Sequence, residues 1–157
     1  MELYFVRHAI AAERVKAGDD AARALTDDGA EKMRAGAAGL RRLGVAPDML
    51  LSSPLVRARE TADILAAALG VAVRVADLLG PGCDLAALTQ VLTDTGAAQR
   101  VMLVGHEPDW SALIGVLTGG RVEMKKGAAC RIDLPYVAAS AGVLIWLTPP
   151  KTLRALA

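Results

Sequence analysis

The regular exchange of short apolar runs for amphipathic stretches constrains this chain most. Strands are expected at Leu3–Val6, Met49–Leu51, Ala72–Val75, Val101–Val104, Ala129–Leu134 and Val143–Thr148. A helix from Thr26 to Leu43 carries Met33, Ala37 and Leu40 on one face. The next aligns Ala58, Ala62, Leu65 and Leu69, and a third, from Asp84 to Leu92, aligns Leu85, Leu88 and Leu92. The fourth carries Trp110, Leu113, Ile114 and Leu117. Each set is one buried stripe at the helical period. Alternation of this kind implies an α/β fold, with a mostly parallel sheet covered on both faces. Only Pro135 to Gly142 separates the last two strands, so they are expected to form an antiparallel hairpin at one edge.

A chain of 157 residues is long enough for one domain with its own core. That domain is expected over residues 1–150, with 151–157 as a loosely held C-terminal tail. Aromatic residues are 3% of the chain, so Leu, Val, Ile and Ala must build the core. No apolar stretch reaches the ~18–20 residues of a membrane span, so no membrane partner is expected. Arg7 ends the first apolar run too early for a signal peptide. The formal charge of +1 gives no case for a nucleic acid partner. Cys83 and Cys130 are isolated, which suits reduced thiols in a cytoplasmic protein. A monomer is expected.

Ala9 to Leu25 breaks the pattern. It has no periodicity, carries Arg14, Lys16, Gly18 and Arg23, and follows His8 directly. Long structureless segments in compact domains are usually functional or disordered. This one is read either as a cover over the site or as a surface loop.

The chain has two histidines, and each ends an apolar run. His8 follows Leu3-Tyr4-Phe5-Val6-Arg7, and His106 follows Val101-Met102-Leu103-Val104-Gly105. Open α/β sheets bind ligands off the carboxyl ends of their strands. Ser52-Ser53-Pro54-Leu55-Val56-Arg57 follows the second strand. Ser53 suits a helix N-cap and Pro54 the first helical position, and such a start favours an anion. Pro108 can start the fourth helix in the same way. Arg7 and Arg57 supply two guanidinium forks that match the charge and geometry of a phosphoryl group. A neutral imidazole, with a reference pKa of about 6.5, is a competent nucleophile near neutral pH. Phosphorylation of His8 would split one displacement into two easier ones. Its other ring nitrogen needs an acceptor to fix the tautomer, and the sequence does not show which.

Val6-Arg7-His8-Ala9, Ser53-Pro54-Leu55-Val56-Arg57-Ala58 with Thr61, and Val104-Gly105-His106 resemble the histidine phosphatase superfamily, also called phosphoglycerate mutase-like. Arg23-Ala24-Leu25-Thr26 with Gly29, and the short chain, are most similar to its small SixA-type phosphohistidine phosphatase branch. The resemblance spans residues 2 to about 134. It implies a three-layer α/β/α sandwich, no cofactor and no metal. It implies that His8 is the phosphorylated nucleophile, with Arg7, Arg57 and His106 forming the phosphate pocket. Arg23 and Ser53 would be further phosphate or substrate contacts.

Two departures matter. Ala9 replaces the motif glycine, a change tolerated where φ is below zero. Larger relatives place a carboxylic acid between the second and third motifs as general acid. Here Asp77 and Asp84 are the nearest carboxylates to Leu78-Leu79-Gly80-Pro81-Gly82-Cys83, and neither is convincing. General acid help is worth about 10²–10⁴ in rate. An alkyl phosphate would miss it more than a phosphohistidine, whose imidazole leaves readily. The expected function is therefore removal of phosphate from phosphohistidine in a signalling or carrier protein. Two alternatives are a phosphatase or mutase for a small phosphorylated metabolite, and a non-catalytic phospho-ligand binding protein.

Plainer readings attach to other residues. Arg57 alone would be a solvated first-turn cation, opposed by the helix dipole. Arg59 and Lys125-Lys126 read as solvated, Glu107 and Asp109 as first-turn caps, and Trp110 as core or pocket wall. Thr89 and Tyr136 stand six positions after the two cysteines, where a cysteine phosphatase needs arginine. No pair among His8, Cys83, His106 and Cys130 has zinc-ligand spacing.

Overall fold

In the computed structural model, residues 1–14 and 19–157 are described. Lys16 and Gly18 of the aperiodic segment lie outside them. Six strands form one sheet in the order β3-β2-β4-β1-β5-β6. They are β1 (Glu2–Arg7), β2 (Met49–Ser52), β3 (Val73–Val75), β4 (Arg100–Gly105), β5 (Ala129–Asp133) and β6 (Val143–Thr148). The first four run parallel, and β5 pairs antiparallel with both β1 and β6. The expected hairpin edge is present, with a register shift between Arg131 and Ile132.

Residues Leu3–Val6 and Val101–Val104 are all buried, as continuous apolar runs in a doubly covered sheet should be. Alternate side chains point to opposite faces. Leu3 and Phe5 pack with α3 (Leu85–Thr93) and α4 (Asp109–Thr118). Tyr4 and Val6 pack with α1 (Asp27–Arg42), α2 (Val56–Leu69) and α5 (Pro150–Ala155). These are the three layers of the sandwich. The expected stripes are the buried ones: Met33, Ala37 and Leu40 on α1, and Trp110, Leu113, Ile114 and Leu117 on α4.

Local chemistry sets the helix ends. Thr26 Oγ1 accepts the Gly29 N–H, Asp27 and Asp28 occupy the first turn of α1, and Arg41 and Arg42 the last. That charge order follows the helix dipole. Asp84 caps α3 by accepting the Ala87 N–H at 2.9 Å.

Two expectations need correction. Residues 151–157 are not a loose tail, because Pro150–Ala155 forms α5 with Leu153 fully buried. A Cβ on Gly39 would fall 2.0 Å from the Leu153 carbonyl oxygen, so the approach of α5 to α1 requires glycine there. Nor does Ser53 cap α2. The helix begins at Val56 with an extended Leu55 at its N-cap. The Ser53 hydroxyl is committed to the ring of His106, and Arg57 still lies in the first turn.

Candidate active site

Register brings the motif residues to one edge of the sheet. Arg7 lies opposite Gly105, and Ser52 opposite Val104. The next residues, His8, His106 and Ser53, therefore leave the sheet side by side. The His8 N–H donates to the Gly105 carbonyl at 3.0 Å, and the Ser53 N–H to Val104 at 3.0 Å, so the ladders hold both up to the site. The two imidazoles lie 5.2 Å apart, centre to centre.

Packing beneath fixes the arrangement. A Cβ on Gly105 would fall 2.4 Å from the Trp110 ring, so glycine there admits the indole under the strand ends. Trp110 Nε1 donates to the Val6 carbonyl at 2.9 Å, and its ring meets Phe5 edge-on at 5.1 Å. Thr61, one turn after Arg57, accepts the Ala9 N–H at 3.0 Å and donates to the Arg57 carbonyl at 2.7 Å. It ties the backbone after His8 to the start of α2. Ala9 keeps a negative φ, the condition under which it can replace glycine.

His8 Nδ1 lies 2.7 Å from the Ala9 carbonyl oxygen. A carbonyl can only accept, so Nδ1 carries the proton and Nε2 carries the lone pair. Arg57 Nε donates to that Nε2 at 3.3 Å. His106 is held differently, with Nε2 2.7 Å from Ser53 Oγ. Ser53 Oγ also accepts the Leu55 N–H at 3.3 Å, and when its own proton goes to Nε2 the His106 proton sits on Nδ1. That Nδ1 and Arg7 Nε are buried without a protein partner. Arg7 Nη1 donates to the Met124 carbonyl at 2.8 Å.

Burial dominates the electrostatics. It lowers His8 to about 3 and His106 to about 4, and the nearby Arg57 and Arg7 charges add to both shifts. Both rings are neutral at pH 7. Desolvation also lowers Arg7 and Arg57, with the Asp20 charge opposing the shift at Arg57.

His8, Arg7, Arg57, His106 and Ser53 thus converge as expected. Arg23 stands one step away, with Nε on Asp20 Oδ1 at 2.9 Å and Nη1 on the Ala12 carbonyl at 2.8 Å. Asp20 went unread in the sequence, although it lies in the segment marked as aperiodic. It binds Arg57 twice, through its carbonyl at 2.7 Å and through Oδ2 at 3.1 Å. Asp84 is spent as a helix cap. Asp109 accepts the Gly82 N–H at 2.8 Å, which ties the loop before α3 to α4. Glu107 accepts from the Ser111 N–H and hydroxyl, the capping role expected of it. Cys83 and Cys130 are buried free thiols, pushed up to about 11 and about 12 by burial. Among the described residues no three His, Cys, Asp or Glu side chains cluster to hold a metal ion, and no helix is long and apolar enough to cross a membrane.

Residues 3–80 match the histidine phosphatase superfamily, branch 1. An uncharacterized protein of Picosynechococcus sp. is 40% identical over 98% of this chain and 99% of its own. The solved structure of the protein histidine phosphatase SixA, complexed with tungstate, superposes with a TM-score of 0.84 at 26% identity, covering 98% of this chain and 99% of that one.

The chain belongs to the histidine phosphatase superfamily.

Two further structures share the fold. A SixA chain from Agrobacterium tumefaciens has a TM-score of 0.81 at 23% identity, covering 95% of this chain and 97% of that one. A mycobacterial glucosyl-3-phosphoglycerate phosphatase, complexed with inorganic phosphate, has a TM-score of 0.72 at 19% identity, covering 96% and 98%. As a histidine phosphatase, the chain is a phosphate-releasing hydrolase. Its fold is common to neighbours that act on proteins and on small metabolites.

Proposed function

We propose that this histidine phosphatase removes the phosphoryl group from phosphohistidine on a protein, through a phosphorylated His8. One observation carries the reading: the His8 proton is held on Nδ1 by the Ala9 carbonyl, so Nε2 presents its lone pair beside the Arg57 guanidinium. In the first step the Nε2–P bond forms and the substrate's N–P bond breaks. The leaving imidazole takes its proton from solvent. In the second step water attacks phosphorus, the Nε2–P bond breaks, and phosphate and neutral His8 are regenerated.

Arg57 and Arg7 neutralise the transferring group, and His106 Nδ1–H donates to one of its oxygens. Two buried polar atoms without protein partners, at Arg7 and His106, support this, since each such group costs about 1–3 kcal/mol until an acceptor arrives. Tungstate in the SixA relative, an oxyanion of similar shape, supports the same charge preference.

The choice of phosphohistidine rests on the leaving group. Asp84 is a helix cap, and Asp20, a carboxylate that reaches Arg57, is paired with arginines. Burial raises Asp20, but the Arg57 and Arg23 charges outweigh it and hold the carboxyl below its usual range, which makes it a poor acid. Imidazole leaves with less protonation help than an alkoxide needs. Arg7 also opens on a groove lined by Lys32, Lys125, Lys126 and Arg154, with Glu123 paired to Lys125, a net basic surface suited to a larger acidic partner.

The test is phosphate release from a histidine-phosphorylated carrier protein, beside an aryl phosphate and a sugar phosphate. Rapid turnover of the phosphohistidine alone is expected. Preference for the sugar phosphate would move the substrate to small metabolites, and turnover of none would leave a phospho-ligand binding protein.

A further inference from the structure

The reactive groups are nearly closed off: His8 is 6% exposed and Arg57 4%. A phosphoryl group can reach them only if something gives way, and Asp20 is what lies against Arg57. The arginine contacts are specific. Nε and Nη2 form one edge of a guanidinium, the edge that takes two oxygens of a phosphate side-on. Here Nε points at His8 Nε2 and Nη2 at Asp20 Oδ2. One carboxylate oxygen therefore occupies the same edge of Arg57 whose other N–H points at the nucleophilic nitrogen.

We propose that Asp20 is a specificity-determining carboxylate that competes for the phosphate edge of Arg57, and that substrate must displace it. The inference rests on Arg57 being a phosphate clamp. A phosphoryl dianion brings more charge than a carboxylate and two oxygens for both N–H groups. A carboxylate ligand brings only the single charge that Asp20 already supplies, so it gains little by exchange. The site thereby discriminates against the common monoanions of the cell.

Displacement is inexpensive for two reasons. The turn that carries Asp20, Asp20–Ala22, buries none of its residues. Segments with little apolar burial open at low cost. Asp20 also has a second home, because its Oδ1 is bound by Arg23 Nε at 2.9 Å, with Arg14 Nε 3.7 Å away. Arg23 in turn is anchored on the Ala12 carbonyl at the neck of the segment, where Ala11 bridges Leu25. The carboxylate can leave Arg57 and stay paired. This gives Arg23 a function without direct contact with phosphate.

The test is calorimetric titration of the full chain with inorganic phosphate at pH 7.5 and fixed ionic strength, for the parent, D20A, D20N and R57A. Removing the carboxylate is expected to tighten phosphate binding by about tenfold or more, the scale of one close charge contact at the surface. D20N, which keeps the size and loses the charge, should fall between parent and D20A, and it serves if D20A does not fold. Acetate should compete with phosphate in D20A and not in the parent, a response that a merely structural role would not produce. Weak binding in R57A with unchanged or weaker binding in D20A and D20N overturns the competition and leaves Asp20 as a support for Arg57. Unchanged phosphate binding in R57A overturns the clamp itself, and with it the proposed phosphate pocket.

Discussion

The two histidines occupy equivalent places, each one residue beyond a central parallel strand, each buried and each neutral. Their partners make them different. His8 gives its Nδ1 proton to the carbonyl of its own neighbour, Ala9. His106 meets a hydroxyl from another strand, Ser53, through Nε2. The first arrangement leaves Nε2 unprotonated beside Arg57, and the second, when Ser53 donates to Nε2, leaves an N–H at Nδ1. One ring is prepared to attack and the other to donate, and the difference lies in which ring nitrogen is occupied. Position in the sheet delivers an imidazole, and only the second contact of the ring assigns it work.

Substitutions can break this contrast, and the largest effect should come from its nucleophilic side. His8→Ala should lower phosphate release by at least about 10⁴-fold while circular dichroism shows an intact fold. A modest loss would remove His8 from the nucleophile role. Arg57→Ala should cost about 10²–10³ in rate, as for one preorganised charge contact, and so should His106→Ala on the donor side. Unchanged single-turnover rates would sink either assignment. Ser53→Ala keeps His106 but releases its tautomer. A loss of roughly tenfold in kcat, with KM little changed, is expected from about 1–1.5 kcal/mol of lost hydrogen bonding. Loss in KM alone would make Ser53 a substrate contact instead.

The smallest effect is on stability, and it separates the rings by degree. Both are held well below 6.5, to about 3 for His8 and about 4 for His106. The unfolded chain therefore takes up protons first as pH falls. Their contribution is complete above about pH 6.5 and is lost progressively toward pH 3–4. Urea unfolding at pH 7.5 and pH 5 should show less acid sensitivity in H8Q than in the parent, and a similar change in H106Q. Equal acid sensitivity in all three would contradict the buried neutral state.

The strands were legible because buried parallel strands are written as unbroken apolar runs, and Leu3–Val6 and Val101–Val104 are nothing else. The α1 and α4 stripes were legible for the same reason at the helical period. Helix α5 was not, because six residues with one buried leucine carry no period. The cluster was legible as far as its residues follow strand ends. What escaped are contacts made across the fold. Nothing local shows that the Ala9 carbonyl turns back on His8, that Ser53 leaves its helix for His106, or that Asp20 reaches Arg57 from a segment without periodicity. Ser-Pro reads as a helix start, and the ring of His106 won the hydroxyl.

The strand that carries His8 has β4 on one side and β5 on the other. Its neighbours in the sheet are residues 100–105 and 129–133, and it precedes both in chain order. During synthesis, β1 leaves the ribosome with both edges bare and waits for most of the chain before either is paired. Bare apolar edges are where strands find wrong partners. The strand that delivers the nucleophile therefore closes late, and a ribosome that stalls before residue 129 leaves His8 on an unfinished sheet.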